Sequence, residues 1–364
     1  MAIRYLYIDD ESSRTVEGIK NNLSISPQEL IVEHERAMGW NEQIEFVRKN
    51  TNDWGGLLLD LNLEFPKSES ESDKIFYDAG ALAQEIRTMA KKGEIKDVPI
   101  LLCSTDENIK KLFDITSQDL FDEKFNKLDF SPDKIPSFIA HAEAYSILCE
   151  QEVGVDEVLK SIGLDILNEV QLHYKDLLTI HEKASFLLNQ VIIPTGLLVD
   201  ETLLAIRLGV DIDKSADWEK LKENLMSFKY VGIYSAVYQR YWMRFILKWW
   251  KENFPNNTIQ NTSAFERVQL LKSKFNLENL EVLEIPKYHR YNTLWFKCGI
   301  SGTALESADG LICLNTPKYR WQEQQYIAVN YIWNSTLNQQ KEIRDSLAYT
   351  ELNKFEAIIK SRSN

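Results

Sequence analysis

Gly55-Gly56-Leu57-Leu58-Leu59-Asp60-Leu61-Asn62-Leu63 decides how the first part of this chain folds. An aliphatic run begins after two glycines and ends abruptly in an acid. A strand buried on both faces reads as a continuous apolar run rather than as an alternation. That pattern belongs to a parallel strand in a sheet covered by helices on both sides. Ligands of open α/β sheets sit outside the carboxyl ends of the strands. Asp60 therefore stands where chemistry takes place, and the question is which other strand ends deliver partners to it.

Three do. Residues 3–8 form an apolar run ending in Asp9-Asp10-Glu11, residues 98–103 form one ending in Ser104-Thr105, and residues 120–127 carry Lys124 and Lys127. Helical patterns separate these strands. Ser12 is placed to cap a helix through Leu23, with Val16, Ile19 and Leu23 on one face. Residues 30–32 read as a short strand and 41–49 as a helix with Ile44 and Val47 inward. Residues 78–92 present Ala81, Leu82, Ile86 and Met89 on one face, a fourth helix starts near 110–113, and a fifth spans 132–150. Strands alternating with helices predict an α/β fold with a doubly wound, five-stranded parallel sheet over residues 1–145.

An acid pair, a lone acid, a hydroxyl and a lysine, in that order and each at a strand end, resemble the receiver domain of two-component response regulators, a flavodoxin-like fold. The resemblance covers about two fifths of the chain. It implies that Asp60 is the phosphoacceptor, attacking a phosphohistidine of a partner histidine kinase or phosphotransfer protein. It implies that Ser104 and the lysine hold the new phosphoryl group. It also implies a Mg²⁺ ion on Asp10, with Asp9 nearby, on Asp60 and on the backbone carbonyl of Asn62. Clustered carboxylates call for a hard cation with oxygen ligands. Two registers are open for the lysine. Lys127 fits the family's acid-acid-aromatic spacing, whereas Lys124 places Phe121 at the switch aromatic position. Leu128 or Phe125 stands where the family has proline. Residues 64–74, polar, acidic and serine-rich, are an insertion expected to form a surface flap that screens Asp60 or selects the kinase.

The whole chain has 364 residues, enough for two domains, with 44% hydrophobic and 27% charged residues, as in a globular protein. No apolar run approaches a membrane span, and the N-terminus reads into a strand rather than a signal peptide, so a cytoplasmic location without membrane attachment is expected. Cys103, Cys149, Cys298 and Cys313 lack metal or redox spacing and read as reduced thiols. A formal net charge of -13 argues against nucleic acid as the partner.

Residues 150–364 match no family pattern and read as a mainly helical output domain with a small sheet, binding a protein target. Residues 155–206 give two or three helices broken near Pro194-Thr195-Gly196. Residues 203–210 look like half of a helix-turn-helix, but Asp211-Ile212-Asp213 follows instead of a basic recognition helix. Residues 230–250 predict a helix with Tyr230, Tyr234, Val237, Tyr241, Phe245 and Trp249 on one face and Arg240, Arg244 and Lys248 on another. That surface reads as a core helix or as a docking face for an acidic partner or the receiver. Residues 280–285, 293–298 and 310–314 read as strands around a glycine turn, and 319–334 and 339–361 as helices. The five histidines are dispersed, and no catalytic constellation appears after residue 150. The leading expectation is a phosphorylation-gated regulator, a homodimer being compatible with it. The alternatives are a receiver fused to an enzymatic effector such as a nuclease or nucleotide hydrolase, a transcription factor, and a phosphate sink or degenerate receiver scaffold.

Overall fold

The computed structural model describes residues 2–11, 13–63, 77–105, 119–150, 159, 163–164, 167–314 and 317–362. The flap at 64–74 and the start of the expected fourth helix at 110–113 lie outside the described residues. The chain divides into two units, Met1–Leu188 with Val231–Val237, and Asn189–Tyr230 with Tyr238–Asn364.

The first unit is built on five parallel strands: β1 (Ile3–Asp9), β2 (Leu30–Arg36), β3 (Gly56–Asp60), β4 (Ile100–Ser104) and β5 (Glu123–Asn126), in the order β2-β1-β3-β4-β5. The fold is α/β and doubly wound, as the unbroken apolar reading of β3 predicts. Side chains of a strand alternate between faces, and here both faces are covered. Leu57 and Leu59 point with Leu6, Ile8, Ile100 and Leu102 toward α2 (Trp40–Asn50) and α3 (Ala79–Lys91). Leu58 points with Tyr5, Tyr7, Leu101 and Phe125 toward α1 (Ser13–Leu23) and α4 (Ile135–Glu150). Gly56 has a steric reason. A Cβ there would stand 2.3 Å from the ring of Tyr5, whose hydroxyl donates to the Phe138 carbonyl of α4 at 2.9 Å. Asp78 caps α3 by accepting from the Ala81 N–H at 2.8 Å.

Among the described residues this unit also carries α5 (Asn168–Lys175) and α6 (Ile180–Phe186), the latter opened by a capping box between Thr179 and Glu182. Segment Val231–Val237 also packs here, with the Tyr234 ring edge-on to His141 at 5.1 Å.

The second unit is mainly helical with three two-stranded antiparallel pairs: β6 (Leu198–Val199) with β7 (Tyr241–Trp242), β8 (Phe296–Lys297) with β9 (Ala304–Leu305), and β10 (Gly310–Ile312) with β11 (Tyr326–Ala328). Residues 299–303 are the hairpin turn of β8 and β9, and Gly302 takes φ +70° there. Val282, expected in a strand, makes only a single bridge to Val210. Leu204, Leu208, Trp250, Leu271 and Leu294 form one core; Leu311, Ile327, Ile332, Ile343 and Phe355 form another.

The helix expected over 230–250 is confined to Met243–Asn253. The Tyr230 N–H donates to the Arg240 carbonyl at 2.8 Å and Lys229 bridges Tyr241, so the feet of the segment between them are pinned together. Tyr234 lies at φ +63°, outside helical geometry. Gly232 and the run of aromatic and β-branched residues disfavour a helix, and burial of Tyr230 and Tyr241, each 1% exposed, is met by antiparallel bridging instead. Similarly, 319–334 is helical only over Val329–Asn334, and 339–361 breaks into Leu337–Ser346 and Leu352–Ser361. Among the described residues no helix is long and apolar enough to cross a membrane. All four cysteines are free thiols, and only Cys149 is exposed.

Candidate functional site at the carboxyl edge of the parallel sheet

The strand order reverses between β1 and β3, because β2 lies on one side of β1 and β3 on the other. Such a switch point is where open sheets bind ligands. Asp9 ends β1 and Asp60 ends β3, one on each side of it. Lys127 follows β5 directly, and its backbone N–H donates to the Ser104 carbonyl at the end of β4 at 2.8 Å. That bond aims the lysine across two strands.

The Lys127 ammonium donates to Asp9 Oδ2 at 2.8 Å and to Asp60 Oδ1 at 3.1 Å. Asp9 is fully buried and Asp60 is 6% exposed. Asp9 accepts more. Its Oδ2 takes the Tyr7 hydroxyl and its Oδ1 the Glu11 N–H at 2.8 Å. Asp60 Oδ2 accepts the Asn62 N–H at 3.1 Å, closing the turn beyond β3. Ser104 is buried at the end of β4, Asp10 is half-buried beside Asp9, and Asn62 is exposed. Lys124 is exposed on β5, away from these bonds.

The electrostatics separate the acids. Burial works against ionisation of Asp9, but donation from Lys127 and Tyr7 outweighs it and holds Asp9 below the usual carboxylate range. Burial, with the charge of Asp9, lifts Asp60 to about 6 despite Lys127. Burial and Asp9 also raise Asp10. Burial disfavours the Lys127 charge, but Asp60 and Asp9 raise it overall, so the ammonium stays protonated. Of the three acids, Asp9 is held below its ordinary value, and Asp10 and Asp60 are held above theirs. Among the described residues, no group of three or more His, Cys, Asp or Glu side chains is arranged to hold a metal ion.

Sequence reasoning passed over Tyr7. It is fully buried, and its hydroxyl reaches Asp9. The signal was present, because residues two apart on a strand share a face.

No protein-family model and no curated protein matches the chain. Among solved structures, the chain is similar to an adenylate cyclase from Rhodopirellula baltica, at 15% identity over 44% of this chain and 98% of that one, with a TM-score of 0.31. It is also similar to the RcsB response regulator of Salmonella typhimurium, at 15% identity over 51% of this chain and 92% of that one, with a TM-score of 0.25.

Proposed function

We propose that residues 1–145, the parallel-sheet part of the first unit, are a receiver that takes a phosphoryl group on Asp60 from a histidine kinase or phosphotransfer protein, and that residues 150–364 carry a protein-binding output. The observation that carries this reading is Lys127 bridging Asp9 and Asp60 across the switch point of the sheet. A carboxylate oxygen of Asp60 attacks phosphorus, the P–N bond of the phosphohistidine breaks, and the electron pair leaves on the imidazole nitrogen. Lys127 lies within reach of the developing phosphoryl charge and Ser104 ends the adjacent strand, so both serve as donors to the phosphoryl oxygens.

The donor set fits Mg²⁺. Two carboxylates plus a carbonyl make the sparse, water-retaining kind of site that Mg²⁺ takes, rather than a closed cage. Asp10 and Asp60 would hold the ion with the Asn62 carbonyl, Asp9 remaining beside them. The ion would neutralise phosphoryl oxygens during transfer.

Intact mass spectrometry after incubation of the full chain with acetyl phosphate and Mg²⁺ tests this. One phosphoryl adduct, absent in Asp60→Asn, is expected. An adduct persisting in that variant would move the acceptor elsewhere. No adduct on the wild-type chain would assign the site to a degenerate scaffold.

A further inference from the structure

The Tyr7 hydroxyl has no solvent, since the residue is fully buried in the middle of the sheet. A buried phenol needs a partner. Two atoms are offered to it, Asp9 Oδ2 and the Cys103 Sγ at 3.9 Å, and the carboxylate is the stronger acceptor. The same Oδ2 receives the Lys127 ammonium. Tyr7 and Lys127 therefore share one oxygen, while the Glu11 N–H holds the other. Three donors fix the Asp9 carboxylate in a single orientation, and that orientation sets where Lys127 stands between Asp9 and Asp60.

We propose that Tyr7 is a positioning residue for the phosphoryl-transfer site, acting through Asp9 on Lys127, an inference that rests on the receiver reading above. With Tyr7 in place, Asp9 Oδ2 divides its charge between two donors, and Lys127 is left free to bond Asp60 at 3.1 Å as well. Without it, Asp9 holds Lys127 alone, and the ammonium is drawn from Asp60. The two acids of the pair thereby take different duties. Asp9 is saturated by protein donors and anchors the lysine, and Asp10 is the acid left for a cation.

The experiment is Tyr7→Phe in the full chain, which deletes one oxygen and keeps the ring. The first readout is the ammonium resonance of Lys127 in isotopically lysine-labelled protein, assigned by its loss in Lys127→Arg and recorded without metal or phosphodonor. It is expected to shift in Tyr7→Phe. The second is phosphoryl uptake from acetyl phosphate with Mg²⁺. Its maximal rate is expected to fall about tenfold, the scale for losing a group that orients a ligating or reacting side chain, with the half-saturating donor concentration unchanged. An unmoved resonance overturns the proposal, as does a rate unchanged in a wild-type background that accepts phosphate. If the wild-type chain accepts no phosphate, the receiver reading fails by itself, and the resonance alone decides for or against Tyr7. Should Tyr7→Phe not fold, 3-fluorotyrosine at position 7, a stronger donor on the same ring, must still move the Lys127 resonance, and its failure to do so overturns the role.

Discussion

The parallel sheet carries a buried ionic cluster at each end, and the two are built on opposite terms. At the amino end, the Arg87 guanidinium donates to Asp97 and Asp122 at 2.8 Å each and to the Val98 carbonyl at 2.8 Å. Asp122 Oδ2 also takes the Ile100 N–H at 2.8 Å, and its Oδ1 takes the Tyr145 hydroxyl at 2.7 Å. Asp97 accepts the His181 N–H at 2.8 Å, and His181 Nε2 donates to the Asp119 carbonyl at 2.6 Å. Burial works against ionisation of Asp122, but the Arg87 guanidinium holds it well below the usual carboxylate range. At the carboxyl end, Lys127 bonds two acids, Asp9 and Asp60, and Asp60 is pushed up to about 6. The satisfied cluster fixes helices and loops to the sheet. The under-compensated one keeps carboxylates whose charged forms burial and one another oppose.

The largest expected effect is on the amino-end cluster. Arg87→Met would leave Asp97 and Asp122 buried without their cation, at a cost of about 3–5 kcal/mol, read as a lowered urea midpoint. A cost under about 1 kcal/mol would mean the cluster relaxes into water and is not the closed network its bonds describe. Asp60→Asn has the opposite sign. Removing a carboxylate whose ionisation is opposed by burial and by Asp9 should stabilise the metal-free protein by about 1–3 kcal/mol near neutral pH. Destabilisation there would erase the contrast between the ends.

The contrast also has a pH signature. Asp60 titrates at about 6 in the folded chain against an ordinary 3.8. Between those values the native state binds a proton that the unfolded state has released, so its contribution to stability grows as pH falls from about 6 toward about 4. The advantage of Asp60→Asn over wild type should therefore shrink across that window. Asp122 behaves inversely. Its folded value is depressed below 3.8, so its stabilisation is in place above the ordinary carboxylate range and is lost as pH falls beneath it. Equilibrium unfolding of wild type, Asp60→Asn and Asp122→Asn across pH separates the two slopes, and parallel profiles would reject the assignment.

The carboxyl end was legible in the sequence because each strand announces its own end. A continuous apolar run stops at Asp9, Asp60 or Ser104, and register then brings those ends together without further information. Tyr7 needed only the two-residue parity of β1. The amino-end cluster was not legible, since Asp97, Asp122 and His181 lie far apart along the chain, and each reads locally as a surface residue. The segment at 230–250 misled for another reason. Aromatic residues three to four apart satisfy a helical period, yet Tyr230 bonds Arg240, Lys229 bridges Tyr241 antiparallel, and Tyr234 turns through positive φ to pack on His141. Periodicity records which residues are buried, not which backbone buries them.

The smallest expected effect concerns the other lysine of β5. Lys124 and Lys127 are three residues apart, and sequence spacing left both open as the cation of the site. Their surroundings differ as the two ends of the sheet differ. Lys127 bonds two buried carboxylates beyond the end of the strand. Lys124 sits within the strand, exposed, where partial burial lowers its basicity against the charge of Asp119. Exposed charges of this kind contribute within about 0.5 kcal/mol. Lys124→Ala should therefore leave the urea midpoint nearly unmoved and phosphoryl uptake within a factor of about 2, a difference of about 0.4 kcal/mol in barrier. On the proposed receiver reading, Lys127→Ala in the same assay should abolish uptake or reduce it about a hundredfold, as expected for a charge that would face the transferring group. Equal losses in the two variants would mean that uptake depends on the basicity of β5 as a whole, and the bridge from Lys127 to Asp9 and Asp60 would no longer define the site.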